Sequence, residues 1–494
     1  MTFENGILNI GWASADITPS QPVLVGGQFH ARVSEGVADP LSATALVLES
    51  VQEGKPVSAA ILVCCDFAGI PDGLRDMIRD RLRRDLPELD PTLVTFNATH
   101  THCAPEISAV TADGLARSGW VSSWEDLDLG VMNPVDYAAF AADRIAEAIA
   151  AAWNNRKPGG IGYGLGHAVV GHNRRISYYS GETRMYGQTN DPEFSHIEGG
   201  EDHALNLLCT YDGERKLTGI VINVACPSQT SEHDYQLSAD FWCETRQELR
   251  QRFGDDLFIL PQVSAAGELT PHVPIGKAAE ARMWKLAGRT QRQEIALRIA
   301  DAVTSELPLI EKEIDYNPLL SHRVETVELP RRNLSQEDVD DALAIADDLE
   351  PNYQRLKAEL QAHPEKRDEP RWYVPITATY RAMKWNEGVA DRYALQDSQP
   401  VLGFESHVIR IGDVVIATNP FEYYLDFGMQ IKARSRAMQT FIVQLAGPGS
   451  YLPTLRATTG KSYGALPAST IIGPDGGREL VDWTVGAIDA LYTG

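Results

Sequence analysis

SAAILVCCDFAGIPDGLRDMIRDRLRRDLPELDPTLVTFNATHTHCAP, residues 58–105, is the stretch that decides the fold. Ser58 to Cys65 is a short apolar run of the kind that forms a buried strand. Leu74 to Arg84 carries apolar residues at helical spacing, and Leu93 to Asn97 reads as a second buried strand. Strand, helix and strand, followed by a polar loop, is the grammar of an α/β protein.

The same grammar extends in both directions. Further strands are predicted at Ala45 to Glu49, Leu205 to Thr210, Gly219 to Val224, Leu257 to Leu260, His407 to Ile411, Val414 to Thr418 and Phe441 to Leu445. Helices are predicted at Val135 to Trp153, Phe241 to Phe253, Lys277 to Ser305 and Gln336 to Ala362, the last capped by Ser335. Pro330 to Arg392 differs from its surroundings in being helical, highly charged and bounded by proline. It reads as a solvated helical insertion, or, through Trp372, Tyr373, Tyr380 and Trp385, as a lid or an oligomer contact.

The chain has 494 residues, of which 43% are apolar and 23% charged, enough for a large core. Its 44 basic and 68 acidic residues leave a formal charge of −24. Such a surface repels phosphates, so nucleic acids and anionic membranes are excluded as partners. No apolar run approaches the ~18 residues of a membrane span, and the first residues carry no leader pattern, so the expected compartment is the cytoplasm. Six cysteines without a CxxC pair are expected to stay reduced. Gly26-Gly27 lacks the spacing of a nucleotide loop, and no nucleotide cofactor is inferred.

The strongest chemical signal is Thr99-His100-Thr101-His102, directly after a predicted strand. Two histidines two apart on extended backbone point to the same side, an arrangement suited to metal binding or acid–base work. Sites in α/β proteins collect at strand ends. Other polar clusters also follow apolar strands: Cys226 to Asp234, Ser264 to His272, Pro420 to Glu422 and Gly447 to Tyr451. His172 beside Asn173-Arg174 is a weaker candidate, and His30, His322, His363 and His407 read as surface or packing residues.

These motifs, in their order, resemble the catalytic domain of the neutral/alkaline ceramidase family. Gly11-Trp-Ala-Ser-Ala-Asp16-Ile-Thr-Pro19 is similar to that family's G-x-x-x-x-D-I-T opening, and Thr99 to His102 matches its THTH signature. Asn173-Arg174, Gly267 to Pro271, Pro420 to Glu422, Tyr451 to Thr454 and Ala468-Ser-Thr470 with Gly473-Pro474 resemble its later segments. The resemblance implies a single large mixed α/β catalytic domain over 1–494, with the helical insertion at 330–392 inside it. The C-terminal β-sandwich of the secreted members is expected to be missing.

The resemblance also implies a zinc-dependent hydrolase of amide or ester bonds. His100 and Glu422 would ligate zinc and Tyr451 would add an oxygen, while His102 would carry protons and Arg174 would polarise the substrate. A catalytic zinc needs about three protein ligands and an open position for water, which agrees with this set. Where the family has its second zinc histidine, this chain has Ala225-Cys226-Pro227-Ser228. Either Cys226 or His233 then supplies the ligand, and His233 is preferred because a neutral imidazole leaves the metal more Lewis-acidic. Thr270 keeps the hydroxyl of the family's serine, and His272 adds a further base or ligand.

The acidic surface weighs against a membrane lipid, so the expected substrate is small, polar or carbohydrate-like, and a homo-oligomer is compatible with the sequence. The competing readings are a metal-dependent enzyme that cleaves glycosides or performs eliminations, and a binding protein that has lost its metal.

Overall fold

Eight strands form the larger sheet in the spatial order Phe258–Val263, Leu217–Val224, Ala204–Asp212, Lys157–His167, Ile7–Asp16, Ser42–Gln52, Lys55–Cys65 and Val94–Ala98. The computed structural model describes residues 6–107 and 129–493. Both edge strands run parallel to their neighbours, and the intervening pairs are antiparallel. The sheet curls until its edges meet: the Asn97 amide on one edge strand donates to Pro261 O on the other at 3.1 Å. A second sheet, Leu320–Pro330, Val401–Ile411, Val414–Thr418 and Gln439–Val443, lies face to face with the first.

The alternation of side chains explains the layers. Along Ser42–Gln52, Leu46 and Leu48 turn toward the second sheet and pack with Ile409, Ile416 and Phe441, while Ala43, Ala45 and Val47 turn outward. The outward set is covered by helices Asp72–Asp85 and Pro134–Asn154. Helices Phe241–Phe253 and Gln291–Ile310 cover another part of the larger sheet. The far face of the smaller sheet packs against Leu425–Arg434 and Pro474–Ala490. The result is four layers, helices, sheet, sheet and helices, in the mixed α/β class expected from the sequence.

One expected helix is two. Lys277 to Ser305 breaks at Gly288, whose φ of 64° ends Lys277–Ala287. A capping box of Thr290 and Gln293 then starts Gln291–Ile310. The spacing of apolar residues did not reveal the break, because Lys277–Ala287 buries none of its residues. Among the described residues, no helix is long and apolar enough to cross a membrane.

Strands Leu320–Pro330 and Val401–Ile411 pair from Leu320↔Ile411 to Pro330↔Val401. The chain between them forms helices Gln336–Ala362 and Val374–Leu395, which pack on each other through Val339, Ala342 and Val389. This helical pair also touches the opening loop of the chain. The Tyr373 hydroxyl accepts from Val33 N at 3.0 Å, and Thr377 Oγ1 accepts from Ala31 N at 3.1 Å.

Candidate active site

Loops at the carboxyl ends of four strands converge on His100, and each is aimed by a local feature. Val94–Ala98 delivers Thr99 and His100. Val414–Thr418 leads into Glu422, whose short strand runs parallel to Tyr451–Leu452 with Glu422 opposite Tyr451. Leu217–Val224 leads into Gln229 and Glu232, and Phe258–Val263 into Gly267 and Glu268. Arg174 follows a two-residue antiparallel pairing of His172-Asn173 with Leu269-Thr270, and its backbone N–H donates to Glu268 O at 3.0 Å.

The histidine pair meets for a reason other than the one expected. The backbone is not extended at His100, which has a φ of 62°. This left-handed residue brings the two imidazole rings to 4.9 Å between centroids, with their Nε2 atoms 3.4 Å apart. Gly27 lies against the His102 ring with a φ of 94°, and a Cβ there would come within 2.4 Å of His102 Cγ. This close approach accounts for a Gly-Gly loop that is not a nucleotide loop.

The hydrogen bonds fix the ring tautomers. His100 Nδ1 lies 2.5 Å from Ala68 O. A carbonyl only accepts, so Nδ1 carries a hydrogen and Nε2 is the ring nitrogen turned to the site. That nitrogen faces Glu422 Oε2 at 3.5 Å. Arg174 Nη1 donates to Gln229 Oε1 at 3.3 Å, which turns the Gln229 NH2 toward His102 Nε2 at 2.8 Å. His102 Nε2 is thus an acceptor and its hydrogen sits on Nδ1, which is buried without a hydrogen-bond partner and faces Glu232 Oε2 at 3.7 Å. Burial above all, then His100, Arg32 and Arg174, holds the His102 pKa well below its ordinary value, so the ring is neutral.

Arg174 is buried, and its guanidinium donates to Tyr186 Oη at 2.7 Å, Gly267 O at 3.0 Å and Tyr451 Oη at 3.3 Å. Burial opposes its charge, but Tyr186, Tyr451 and Glu422 outweigh that and keep it cationic. Burial likewise opposes ionisation of Glu422, yet the neighbouring His100 and Tyr451, together with Arg174, hold its carboxyl below the usual range. Arg32, fully buried, ties the loops together by donating to Glu232 O at 2.9 Å, Asp234 O at 2.6 Å and the carbonyls of Gly26 and His102.

His100, Glu422 and Tyr451 suit one divalent cation. Two donors of a tetrahedral zinc ion sit about 3.4 Å apart, close to the His100–Glu422 separation of 3.5 Å. An imidazole nitrogen facing a carboxylate at this distance calls for a proton or a cation between them. Among the described residues, no group of three His, Cys, Asp or Glu is placed to hold a metal ion; Tyr451, opposite Glu422 in the strand pairing, offers a phenol oxygen beside the pair.

Two expected ligands lie elsewhere. The His233 side chain is 79% exposed, and its Nε2 lies 3.8 Å from Glu232 Oε1. It is held outside because its neighbour Glu232, the more buried of the two, turns inward. Cys226 is buried in the apolar cluster with Phe241 and Trp242, and its thiol donates to Pro227 O at 3.4 Å. Burial pushes that thiol pKa well up, away from the thiolate a metal requires. Thr270 is buried as well, and its hydroxyl accepts from His272 N at 3.3 Å, shaping the loop rather than facing His102. His272 reaches Gln229 O at 2.9 Å and Glu232 at 3.6 Å, whereas His172 pairs with Glu201 at 3.3 Å.

Sequence reasoning passed over Glu232, Gln229, Arg32, Tyr186 and Tyr463. Glu232 carried a usable signal, since it adjoins His233 in the same polar segment. Tyr463 packs its ring 5.3 Å from Tyr451, but it lies in an irregular loop without a motif.

No family model matches the sequence, and no curated protein does. Solved structures do. A structure described as ceramidase complexed with C2 superposes with a TM-score of 0.67 at 16% identity, over 99% of this chain and 75% of that one. The neutral ceramidase from Pseudomonas aeruginosa gives 0.65 at 17% identity, again over 99% and 75%. Across nearly its whole length, this divergent chain has the fold of the neutral ceramidases.

Proposed function

We propose that the chain is a zinc-dependent hydrolase that cleaves the amide bond of a small, polar or carbohydrate-like substrate. The observation that carries this reading is His100 Nε2 facing the Glu422 carboxylate at 3.5 Å, with Tyr451 directly opposite Glu422 in the strand pairing. The ceramidase names of the structural neighbours support an amide as the scissile bond.

A zinc ion held by His100, Glu422 and Tyr451 would supply Lewis acidity and a water nucleophile at neutral pH. Arg174 is a fixed cation whose Nη2 donates to Tyr451 Oη at 3.3 Å, placed to stabilise the oxyanion of an attacked carbonyl. His102, neutral and backed by Glu232, takes a proton at Nε2 and passes it to the leaving nitrogen, while Glu232 offsets the imidazolium charge. Gln229 fixes the direction of that ring.

Glycoside cleavage by two carboxylates needs one of them kept protonated as an acid. Glu232 and Glu422, the carboxylates that face the two histidines, are both held below the usual carboxylate range, which favours the amide reading over a glycosidase using this pair. The test is metal analysis of the purified protein together with a panel of N-acyl compounds assayed for free amine. Zinc near one equivalent and chelator-sensitive amine release are expected. Release of no amine from any member, while a glycoside panel reacts, would overturn the proposal.

A further inference from the structure

Helix Lys277–Ala287 follows the loop that carries Thr270 and His272, and it buries none of its residues. Its 11 residues are too few for a helix to be stable in water on its own, so a helix of this length persists by packing one face. The inward side offers little for that: Glu280, which pairs with Arg298 at 3.2 Å, and the half-buried Trp284. Met283 and Leu286, one turn apart on the outward side, are 57% and 65% exposed, and Ile275 just ahead of the helix is 56% exposed. The helix is therefore amphipathic in the wrong sense for a lone chain, with its large aliphatic side chains in water.

Its charge narrows what can cover it. In a chain of net charge −24, Lys277, Arg282 and Lys285 make this helix basic, and none of the three has an ion-pair partner among the described residues. The complementary surface lies on helix Gln336–Ala362. That helix buries Val339, Ala342 and Ala346 on one side. Its other side exposes Glu337, Asp341 and Asp348, and beside them Ile345, which is 49% exposed. These three carboxylates also lack an ion-pair partner among the described residues.

We propose that the outward face of Lys277–Ala287 docks on the acidic face of Gln336–Ala362 in a second copy of this chain. Met283 and Leu286 meet Ile345, while Arg282 and Lys285 meet Asp341 and Asp348, giving an apolar centre with a charged rim. Each copy carries both faces, so a two-fold pairing forms the contact twice and closes as a dimer. The net charge of each copy repels the other at long range, but physiological salt screens that field beyond about 8 Å, and the matched groups decide at contact. An anionic bilayer is the poorer occupant, because it takes a helix with its aromatic residue on the outward face, and Trp284 lies half-buried against the fold. The inference is independent of the hydrolase reading.

Sedimentation velocity of the full chain across a concentration series reads the association, and a dimer at micromolar concentration is expected. Leu286→Glu should weaken that dimer by about tenfold or more, as should Arg282→Glu with Lys285→Glu. Asp341→Lys with Asp348→Lys should do the same, and all four charge reversals in one chain should restore the dimer. These positions are exposed, so circular dichroism and Tm should stay as in the wild type. If a charge-reversed chain does not fold, Leu286→Glu and Ile345→Glu carry the test. A monomer at every concentration, or a dimer that none of these exchanges weakens, would overturn the proposal. Loss of the dimer on reversing Arg282 and Lys285 with no effect from Asp341 and Asp348, or no recovery when all four are reversed, overturns the pairing of these two helices. Flotation of the monomer with phosphatidylserine vesicles, abolished by Leu286→Glu, would assign the helix to a membrane and overturn it too.

Discussion

Glu422 and Tyr451, 29 residues apart in sequence, sit directly opposite each other in a two-residue parallel pairing. Backbone register therefore holds a carboxylate and a phenol at one spot beside His100. The first prediction follows from that. Glu422→Gln and His100→Ala should each strip zinc, as read by elemental analysis, and lower kcat by at least about 10²-fold. Full zinc content in Glu422→Gln would remove it from the ligand set.

His102 and Glu232 are expected to act after metal is bound. His102→Ala and Glu232→Gln should keep zinc and lower kcat by about 10²-fold and 10-fold respectively, with little change in KM. The ratio of metal content to activity separates these two from the ligands. Loss of zinc in Glu232→Gln would make it a ligand instead.

Neither Cys226 nor His233 should influence metal content. Cys226→Ser places a hydroxyl in the apolar cluster of Phe241 and Trp242 and should cost about 1–3 kcal/mol of stability, seen as a lower Tm. His233→Ala, at an exposed site, should stay within about 0.5 kcal/mol of wild type. Reduced zinc in either variant would restore that residue as a ligand.

Burial pushes the Glu268 carboxyl from 4.5 up to about 8, against the pull of the Leu425 backbone N–H that it accepts. Between those values the folded chain keeps a proton that the unfolded chain has released. Stability from this group is therefore full below pH 4.5 and is lost as pH rises toward 8, by up to about 1.4 kcal/mol per pH unit. Glu268→Gln cannot ionise, so its Tm should match wild type near pH 5 and exceed it near pH 8. A variant less stable at every pH would show that Glu268 is ionised in the fold.

The positions of strands and helices were largely legible because buried strands and amphipathic helices are local patterns. Phe241–Phe253 and Gln336–Ala362 match expectation at both ends, and the latter is capped by Ser335 through Asp338 N. Ile7–Asp16 and Lys157–His167 escaped notice because small and glycine residues dilute their apolar pattern. The glycines of Lys157–His167 exist to admit Ile310 and Tyr316 against the sheet, a contact invisible along the chain.

By itself the sequence determined the α/β class, two histidines placed directly after a buried strand, and the order of the segments that build the site. Those depend on residue type and short-range spacing. Tertiary structure alone decided which neighbour turns inward: Glu232 rather than His233, Gln229 rather than Cys226, and a left-handed His100 rather than an extended one. The physical reason is that a loop residue's direction is set by the buried groups it must satisfy. Here those groups are the Arg32 and Arg174 guanidiniums, and their partners lie as much as 277 residues away in the chain.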